Sequence, residues 1–380
     1  MRRSRRKFRW GRLFLLLLLL AGVFYLIIWS FNPPQTIKKI KVQKKQVTEH
    51  NLSLIMAGDV LIHSTVYNDA KIGNNEYDFK PKLANIKGIV QKYDLAFYNQ
   101  ETIIGGKAMG LSTYPMFNSP EEIGDAMIDA GFNLVSLANN HTLDRGEKAI
   151  VNSLNYWQDK EVLTAGSYAS FEDRDNPKIK KKNNITYTLL AYTTLTNGFN
   201  RPQGKEYYVN VYDEEQVKSD ILRVRDKVDL VLVSMHWGTE YTHTPIEQQR
   251  KIAEHLSSLG VDIIIGHHPH VVEPIEKIND TLVIYSLGNL ISSQIGEPRL
   301  VGAMVGVNIN KKLINNEHKI TISNPTADLI YTYYNASRKN IKLYPFSQLD
   351  NSILPNYQAI YEKYANIIKG ENDFVLVSPI

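Results

Sequence analysis

Val261 to Glu273 reads VDIIIGHHPHVVE, an apolar β-branched run that stops at Gly266 and opens into three histidines. Val261, Ile263 and Ile265 alternate with Asp262 and Ile264, and so short a run bounded by glycine predicts a buried strand rather than a helix. Pro269 excludes the helical region for the residue before it, which predicts an extended His268 and places His268 and His270 on the same side of the chain. Two imidazoles on one face suit a metal ion, and His267, alternating to the other face, is the weaker candidate. A single histidine beside a strand is more often a structural hydrogen-bonding residue, so the rest of the chain must decide.

Working outward, the same pattern recurs. In NLSLIMAGD, Leu52, Leu54 and Met56 alternate with Ser53, Ile55 and Ala57, predicting a strand that delivers Asp59 just past Gly58. A strand over Tyr93 to Phe97 opens into Asn99, Gln100 and Glu101. Another over Phe132 to Leu137 discharges into Asn139, Asn140 and His141, with Asp144 and Gly146 close behind, and Val228 to Met235 ends at His236-Trp237-Gly238. Helical spacing fills the gaps near 82–92, 147–160, 214–227 and 245–259. A further helix to Ala130 is announced by Ser119 as N-cap, Pro120 at the first helical position and Glu122 three after the cap, with Gly131 as its stop. Ile185 to Thr193, Leu282 to Leu287, Leu300 to Asn308 and Lys319 to Ser323 read as further β-structure, and 357–368 as a late helix. Strands alternating with helices predict an α/β domain, and open α/β sheets bind ligands at the carboxyl ends of their strands. Asp59, Glu101, Asn140, His141, His236, His268 and His270 all fall at such ends.

The chain has 380 residues with 43% hydrophobic content, ample for a packed core. Seven basic residues between Arg2 and Arg12 precede an uncharged run from Leu13 to Phe31, long enough to cross a bilayer. The run continues through Ile27, Ile28 and Trp29 without a small-x-small cleavage site, which predicts an uncleaved signal anchor. The positive-inside rule puts the arginines in the cytoplasm and the rest of the chain outside the cell. Twelve of the 44 basic residues and one of the 39 acidic ones lie in residues 1–50, leaving 32 basic against 38 acidic beyond. The basic balance therefore belongs to the membrane end and gives no argument for nucleic-acid binding. Five lysines between Lys38 and Lys45 sit in a polar tether where an anionic polymer or lipid is one partner and solvent the other. With no cysteine in the sequence, a metal here has imidazole, carboxylate or amide ligands. Such ligands suit one or two ions of Mn, Zn or Fe, and a close pair of ions suits metal-assisted hydrolysis.

The order of these motifs resembles a known family. Gly58-Asp59, Asn99-Gln100-Glu101, Asn139-Asn140-His141 with Asp144 and Gly146, His236-Trp237-Gly238, Gly266-His267-His268-Pro269-His270 and Ser286-Leu287-Gly288-Asn289 look like the CapA proteins of poly-γ-glutamate capsule synthesis. That family is a branch of the calcineurin-like metallophosphatase superfamily. The resemblance covers about residues 52 to 295. It implies a layered α/β/β/α metallophosphatase-like sandwich behind the N-terminal transmembrane helix. It implies Asp59, Asn140, His236, His268 and His270 as metal ligands with Glu101 bridging, and His141, with Asp144 beside it, as the catalytic pair. The superfamily's first motif is usually Asp-x-His, but here Leu61 stands at the histidine position, and the bridging residue is usually Asp where this chain has Glu101. Leu61 removes one ligand of a second ion, and His63 replaces it only if the turn after Asp59 is tight.

The resulting expectation is a basic tail (1–12), an anchor (13–31), a tether (32–50), a CapA-type domain (51–330) and a C-terminal extension (331–380). The resemblance implies a component of capsule polymer synthesis or export at the bacterial cell surface, working with membrane-bound synthase and export subunits. Two other readings stand beside it: a non-catalytic scaffold or polymer-binding subunit, and a general extracellular metallophosphoesterase.

Overall fold

The computed structural model describes residues 10–32, 47–314 and 317–380. The basic tail before Trp10 and the tether with Lys38 to Lys45 lie outside the described residues. The chain divides into two units, residues 1–46 and 47–380. In the first, helix α1 (Trp10–Phe31) buries none of its residues and exposes leucine, isoleucine and phenylalanine on every side. A helix apolar all round needs an apolar surround, and 22 residues at about 1.5 Å each match the hydrocarbon core of a bilayer.

The second unit is built on two large sheets, with a two-stranded ribbon of Lys71–Gly73 and Glu76–Tyr77 apart from them among the described residues. The strands of the two sheets, in chain order, begin with β1 (Val47–Val60), β2 (Leu95–Asn99), β3 (Leu134–Ser136), β4 (Leu163–Ala165) and β5 (Lys180–Lys182). They continue with β6 (Ile185–Thr193), β7 (Leu230–His236), β8 (Ile263–His267), β9 (Ile275–Ile278) and β10 (Thr281–Ile284). The last are β11 (Asn289–Ile291), β12 (Val301–Ile314), β13 (Glu317–Tyr333), β14 (Lys342–Pro345) and β15 (Leu376–Val377). Among the described residues one sheet has nine strands in the order β14-β13-β12-β1-β2-β3-β4, with β11 beside β1 and β15 beside β13. The other has six, in the order β9-β10-β8-β7-β6-β5. Strands β1 to β4 run parallel, as do β6, β7, β8 and β10, so each sheet presents a row of carboxyl ends at one rim.

Period-two patterning assigns the layers. Leu52, Leu54 and Met56 of β1 share a core with Leu230 and Leu232 of β7 and Ile263 and Ile265 of β8, which is the seam between the sheets. Ile55 and Ala57 point the other way, onto helices α2 (Lys80–Val90) and α3 (Glu122–Ala130) through Leu83, Ile86, Ile123 and Met127. Between β3 and β4 runs helix α4 (Gly146–Gln158). Val231, Val233 and Ile264 cover the far side of the second sheet with α5 (Glu214–Arg225) and α6 (Glu247–Ser258) through Val217, Ile221 and Leu256. The architecture is an α/β/β/α sandwich. Strands covered on both faces explain why β7 and β8 read as unbroken apolar runs. Helix α7 (Tyr357–Lys369) packs Tyr364 and Ile368 into the inter-sheet core, so the extension after 330 is part of the fold, as are the β13 and β14 pairing residues.

Two glycines let the rims close up. A Cβ on Gly58 would lie 1.9 Å from the Gly288 carbonyl oxygen, and one on Gly266 equally close to that of Tyr285. Register shifts between Met56 and Asp59 and between Asp59 and Val60 mark a bulge, which re-aims the Asp59 side chain. Some expectations need correction. The strand expected to stop at Gly266 continues to His267, because Gly266 and His267 pair with Met235 and His236 of β7. Ser119 does not cap α3: its hydroxyl donates to Thr102 Oγ1 at 2.7 Å and the helix starts at Glu122 without a side-chain cap. Gly131 does end it, in the left-handed conformation at φ +113°.

Candidate metal centre

The bulged end of β1, the segment after β2, the turn after β3, the last residue of β7 and the turn after β8 all open onto one buried locus. His270 Nδ1 lies 3.4 Å from Asp59 Oδ2 and its Nε2 3.5 Å from Glu101 Oε1. His236 Nε2 lies 3.8 Å from the same Glu101 oxygen and 2.9 Å from Asn140 Oδ1. His268 faces His236, ring centroids 4.8 Å apart, and lies 6.0 Å from His270. Among the described residues three sets each place one ligand atom per residue within 4.8 Å of the others: Asp59 with Glu101 and His270, Glu101 with His236 and His268, and Glu240 with His268 and His270. The six residues named as ligands from the sequence are therefore neighbours in space.

The turn that presents the two histidines differs from its expected form. His268 has φ +99° and His270 φ +59°, both in the left-handed half of conformational space. A following proline disfavours the right-handed helical region and leaves positive φ open, so the pre-proline argument alone does not require an ordinary extended residue. With this backbone the His268 amide donates to Asp59 Oδ2 at 3.3 Å while both rings turn into the cluster. Such conformations cost about 1–3 kcal/mol each and persist where the surroundings enforce them.

Electrostatics splits the cluster. Burial works to raise Asp59, but the approach of the His267 and His270 imidazoles prevails and holds its carboxyl well below the usual range. Burial, reinforced by the charge of Asp59, pushes Glu101 well above its ordinary value against the pull of His270. Burial also drives His236 well down and His268 down to about 4, whereas Glu101 and Asp59 overcome it at His270 and lift that residue to about 9. Both His236 and His268 are thus neutral imidazoles with a lone pair to offer at neutral pH.

Both oxygens of Glu101 and Nδ1 of His268 are buried without a hydrogen-bond partner. Buried polar atoms are ordinarily paired, and orphans gathered at one point fit a cation that takes their lone pairs. The donor set of imidazoles, carboxylates and an amide oxygen, with no thiolate, suits a divalent ion of the Mn, Zn or Fe type.

Around this cluster stand residues that the sequence reading did not assign a role. Asn99 donates to Asp59 Oδ1 at 2.8 Å and reaches His236 Nδ1 at 3.4 Å, and Asn289 Oδ1 is 3.1 Å from His270 Nδ1. Both belong to the quoted Asn99-Gln100-Glu101 and Gly288-Asn289 motifs, which was the available signal. His267 stacks on Phe97 with its Nδ1 3.2 Å from Asp59 Oδ1, a place beside the centre rather than in it. Leu61 is buried and supplies no ligand, and His63 joins none of the three sets. The His63 Nδ1 instead lies 3.2 Å from the Leu61 carbonyl, and burial pushes its pKa down to about 4.

His141 and Asp144 sit beside the cluster as a pair, Nδ1 to Oδ2 at 2.7 Å. The same carboxylate oxygen accepts from the Phe117 amide at 2.7 Å, and the ring of Phe117 packs edge-on against His141. Asn197, in the left-handed conformation, accepts from Asn140 Nδ2 at 3.1 Å and reaches His141 Nδ1 at 3.3 Å. Asn140, His141, Asn197, Tyr114, Glu240 and Tyr241 line an open cleft of about 530 Å³.

Fold and site together define a two-sheet α/β sandwich that pools histidines and carboxylates from both sheets at their carboxyl rims. Residues 53–294 match the family described as bacterial capsule synthesis protein PGA_cap, and the chain belongs to that family. It is 34% identical over 168 residues to the PGA biosynthesis protein CapA of Bacillus subtilis (strain 168), covering 44% of each chain. It is 29% identical over 182 residues to the capsule biosynthesis protein CapA of Bacillus anthracis, covering 47% of this chain and 44% of that one. The aligned stretch thus spans less than half the length of these relatives. Among solved structures, a Staphylococcus aureus protein described as a candidate 5'-nucleotidase, in complex with α-ketoglutarate, shares 14% identity at a TM-score of 0.45. That match covers 83% of this chain and 58% of the other.

Proposed function

We infer that this protein is a membrane-anchored component of poly-γ-glutamate capsule synthesis or export, whose α/β unit lies outside the cell and works around one or two divalent cations. Membership of the capsule synthesis family and the CapA relatives support the process. The apolar helix α1 behind a run of arginines supports the anchoring and its orientation. One observation carries the reading of the site: Asp59, Glu101, Asn140, His236, His268 and His270 converge, and the orphaned polar atoms lie at the point of convergence.

In this reading Asp59, Asn140, His236, His268 and His270 would hold one or two cations, with Glu101 as a further carboxylate ligand. A bound cation would polarise a phosphoryl or carbonyl oxygen and ease the ionisation of water. The chain's own contribution begins with Asp144, which accepts from His141 Nδ1 and so fixes the tautomer that leaves Nε2 as the other ring nitrogen. With a second proton on Nε2, the His141 imidazolium would pass that proton to the leaving oxygen or amine of a substrate lying in the cleft and return to its neutral Nδ1–H form. Asn99 and Asn289 orient Asp59 and His270, and Asn197 Oδ1 accepts from Asn140 and so orients it. The anionic polymer and the membrane-bound synthase and export subunits are the partners this role requires.

A second reading rests on Leu61. An apolar side chain where the superfamily has a ligand favours a subunit that keeps the fold and a cation and serves as a scaffold for the polymer. His268→Ala tests the shared part: loss of both bound cation and polymer supports a cation-dependent role, and normal polymer from a cation-free variant excludes it.

A further inference from the structure

Glu240 was not among the residues singled out by spacing, yet its carboxylate reaches the cluster from the solvent side. It offers an oxygen within 4.8 Å of a nitrogen of His268 and of His270, and it is exposed while both histidines are buried. Its position is built by the backbone. Gly238 turns the chain at φ +91°, where a Cβ would strike the Gln249 side chain at 2.8 Å, and Tyr241 turns it again at φ +65°. The Tyr241 amide donates to the Pro269 carbonyl at 2.8 Å, pinning the residue next to Glu240 onto the turn that carries the two histidines. The Tyr241 ring lies 6.1 Å from that of His270, and the Arg299 guanidinium covers it at 4.2 Å. The second independent sign of a ligand is His268 itself, 4% exposed with Nδ1 unpartnered.

We propose that Glu240 is a ligand, from the open side of the cluster, of a divalent cation held together with His268 and His270. The proposal rests on the cation-centred reading above and adds to it a carboxylate that belongs to neither buried set. Leu61 stands where the superfamily resemblance gives a ligand, and Glu240 offers a carboxylate from the solvent side. Because Glu240 also lines the cleft with Asn140 and His141, the outer cation faces the space where a substrate oxygen would lie. An imidazole and carboxylate set open to solvent suits Mn²⁺ or Zn²⁺ in an exchangeable position.

The test is calorimetric titration of Mn²⁺ into the full-length chain in detergent micelles after chelator treatment, for the wild type, Glu240→Gln and Glu240→Asp. Mn²⁺ electron paramagnetic resonance gives a second readout. The expected result is that Glu240→Gln loses one class of site or weakens it by more than the roughly 10–100-fold typical of an outer partner. The signal of the inner set persists, Glu240→Asp recovers part of the loss, and the cation-free melting temperature does not change. Superimposable isotherms for wild type and Glu240→Gln would overturn the proposal and leave the reading it rests on intact. A wild-type chain that takes up no Mn²⁺ would overturn both.

Discussion

The two ends of the parallel strands use the same residue type to opposite effect. At the amino ends Asp94, Asp229 and Asp262 stand just before β2, β7 and β8, and each ties down a neighbouring strand. Asp94 Oδ2 accepts from the Ser53 amide at 2.9 Å and hydroxyl at 3.0 Å. Asp229 Oδ2 accepts from the Thr186 amide at 2.8 Å, its hydroxyl at 2.9 Å and Lys311 Nζ at 2.7 Å, and Asp262 Oδ2 from the Val231 amide and Arg225, both at 2.7 Å. At Asp94 and Asp229 these bonds outweigh burial and lower the carboxyl pKa. At the carboxyl ends Asp59 and Glu101 face imidazoles and each other, the backbone of His268 and His270 is strained, and both Glu101 oxygens go without a partner. One rim turns its carboxylates to strand pairing, and the other turns them to imidazoles and leaves both Glu101 oxygens without a hydrogen-bond partner. That difference separates a structural end of the sheets from an end able to bind a cation.

The comparison breaks most visibly at His268. His268→Ala is expected to abolish both cation uptake, measured by elemental analysis of the purified chain, and polymer production by cells carrying it, because the residue belongs to two of the three ligand sets. At His141 the expected loss is about 10²–10⁴-fold in turnover or polymer yield with cation content unchanged, the size that general acid catalysis contributes. Unaltered yield from His141→Ala would favour the scaffold. The opposite rim should respond in the opposite way. Asp229→Ala, which strands the Thr186 amide and Lys311, should lower unfolding stability by about 2–3 kcal/mol in denaturant titration and leave cation stoichiometry untouched.

A pH-dependent effect, confined to one window, concerns Glu273, three residues beyond His270. Burial pushes its carboxyl up to about 8 against a hydrogen bond from Gln249 and the charge of Arg250. The folded chain therefore holds a proton that the unfolded chain releases near its ordinary 4.5. Its contribution to stability is fully present below pH 4.5, declines as pH rises toward about 8 and is lost beyond. Glu273→Gln should remove that decline, about 1.4 kcal/mol for each pH unit inside the window, in cation-free melts compared with wild type. Parallel pH profiles for the two would contradict this assignment.

Much of the fold was legible because burial on both faces leaves unbroken apolar runs and glycines mark where they stop. Ile185 to Thr193 matches its strand at both ends, and β7 and β8 carry their histidines at their carboxyl ends as alternation implies. The polar residues after those runs were equally legible, since a polar residue at a strand end needs only chain order to be seen. What stayed hidden depends on partners distant in sequence. The hydrogen bond of Asn99 to Asp59 spans 40 residues, and the positive φ of His268 accompanies a contact with Asp59, 209 residues away. Ser119 has every local mark of a cap, but Thr102 takes its hydroxyl. Glu240 looks like a surface acid in the text because the Tyr241 to Pro269 bond that places it joins two separate loops.

The most direct test is anomalous diffraction at the manganese edge from crystals of residues 47–380 grown or soaked with Mn²⁺. The account predicts a peak at coordinating distance, about 2.0–2.3 Å, from a nitrogen of His268 and from at least one of His236, His270 and Glu101. Ordered crystals saturated with Mn²⁺ that place no peak among these side chains would contradict it.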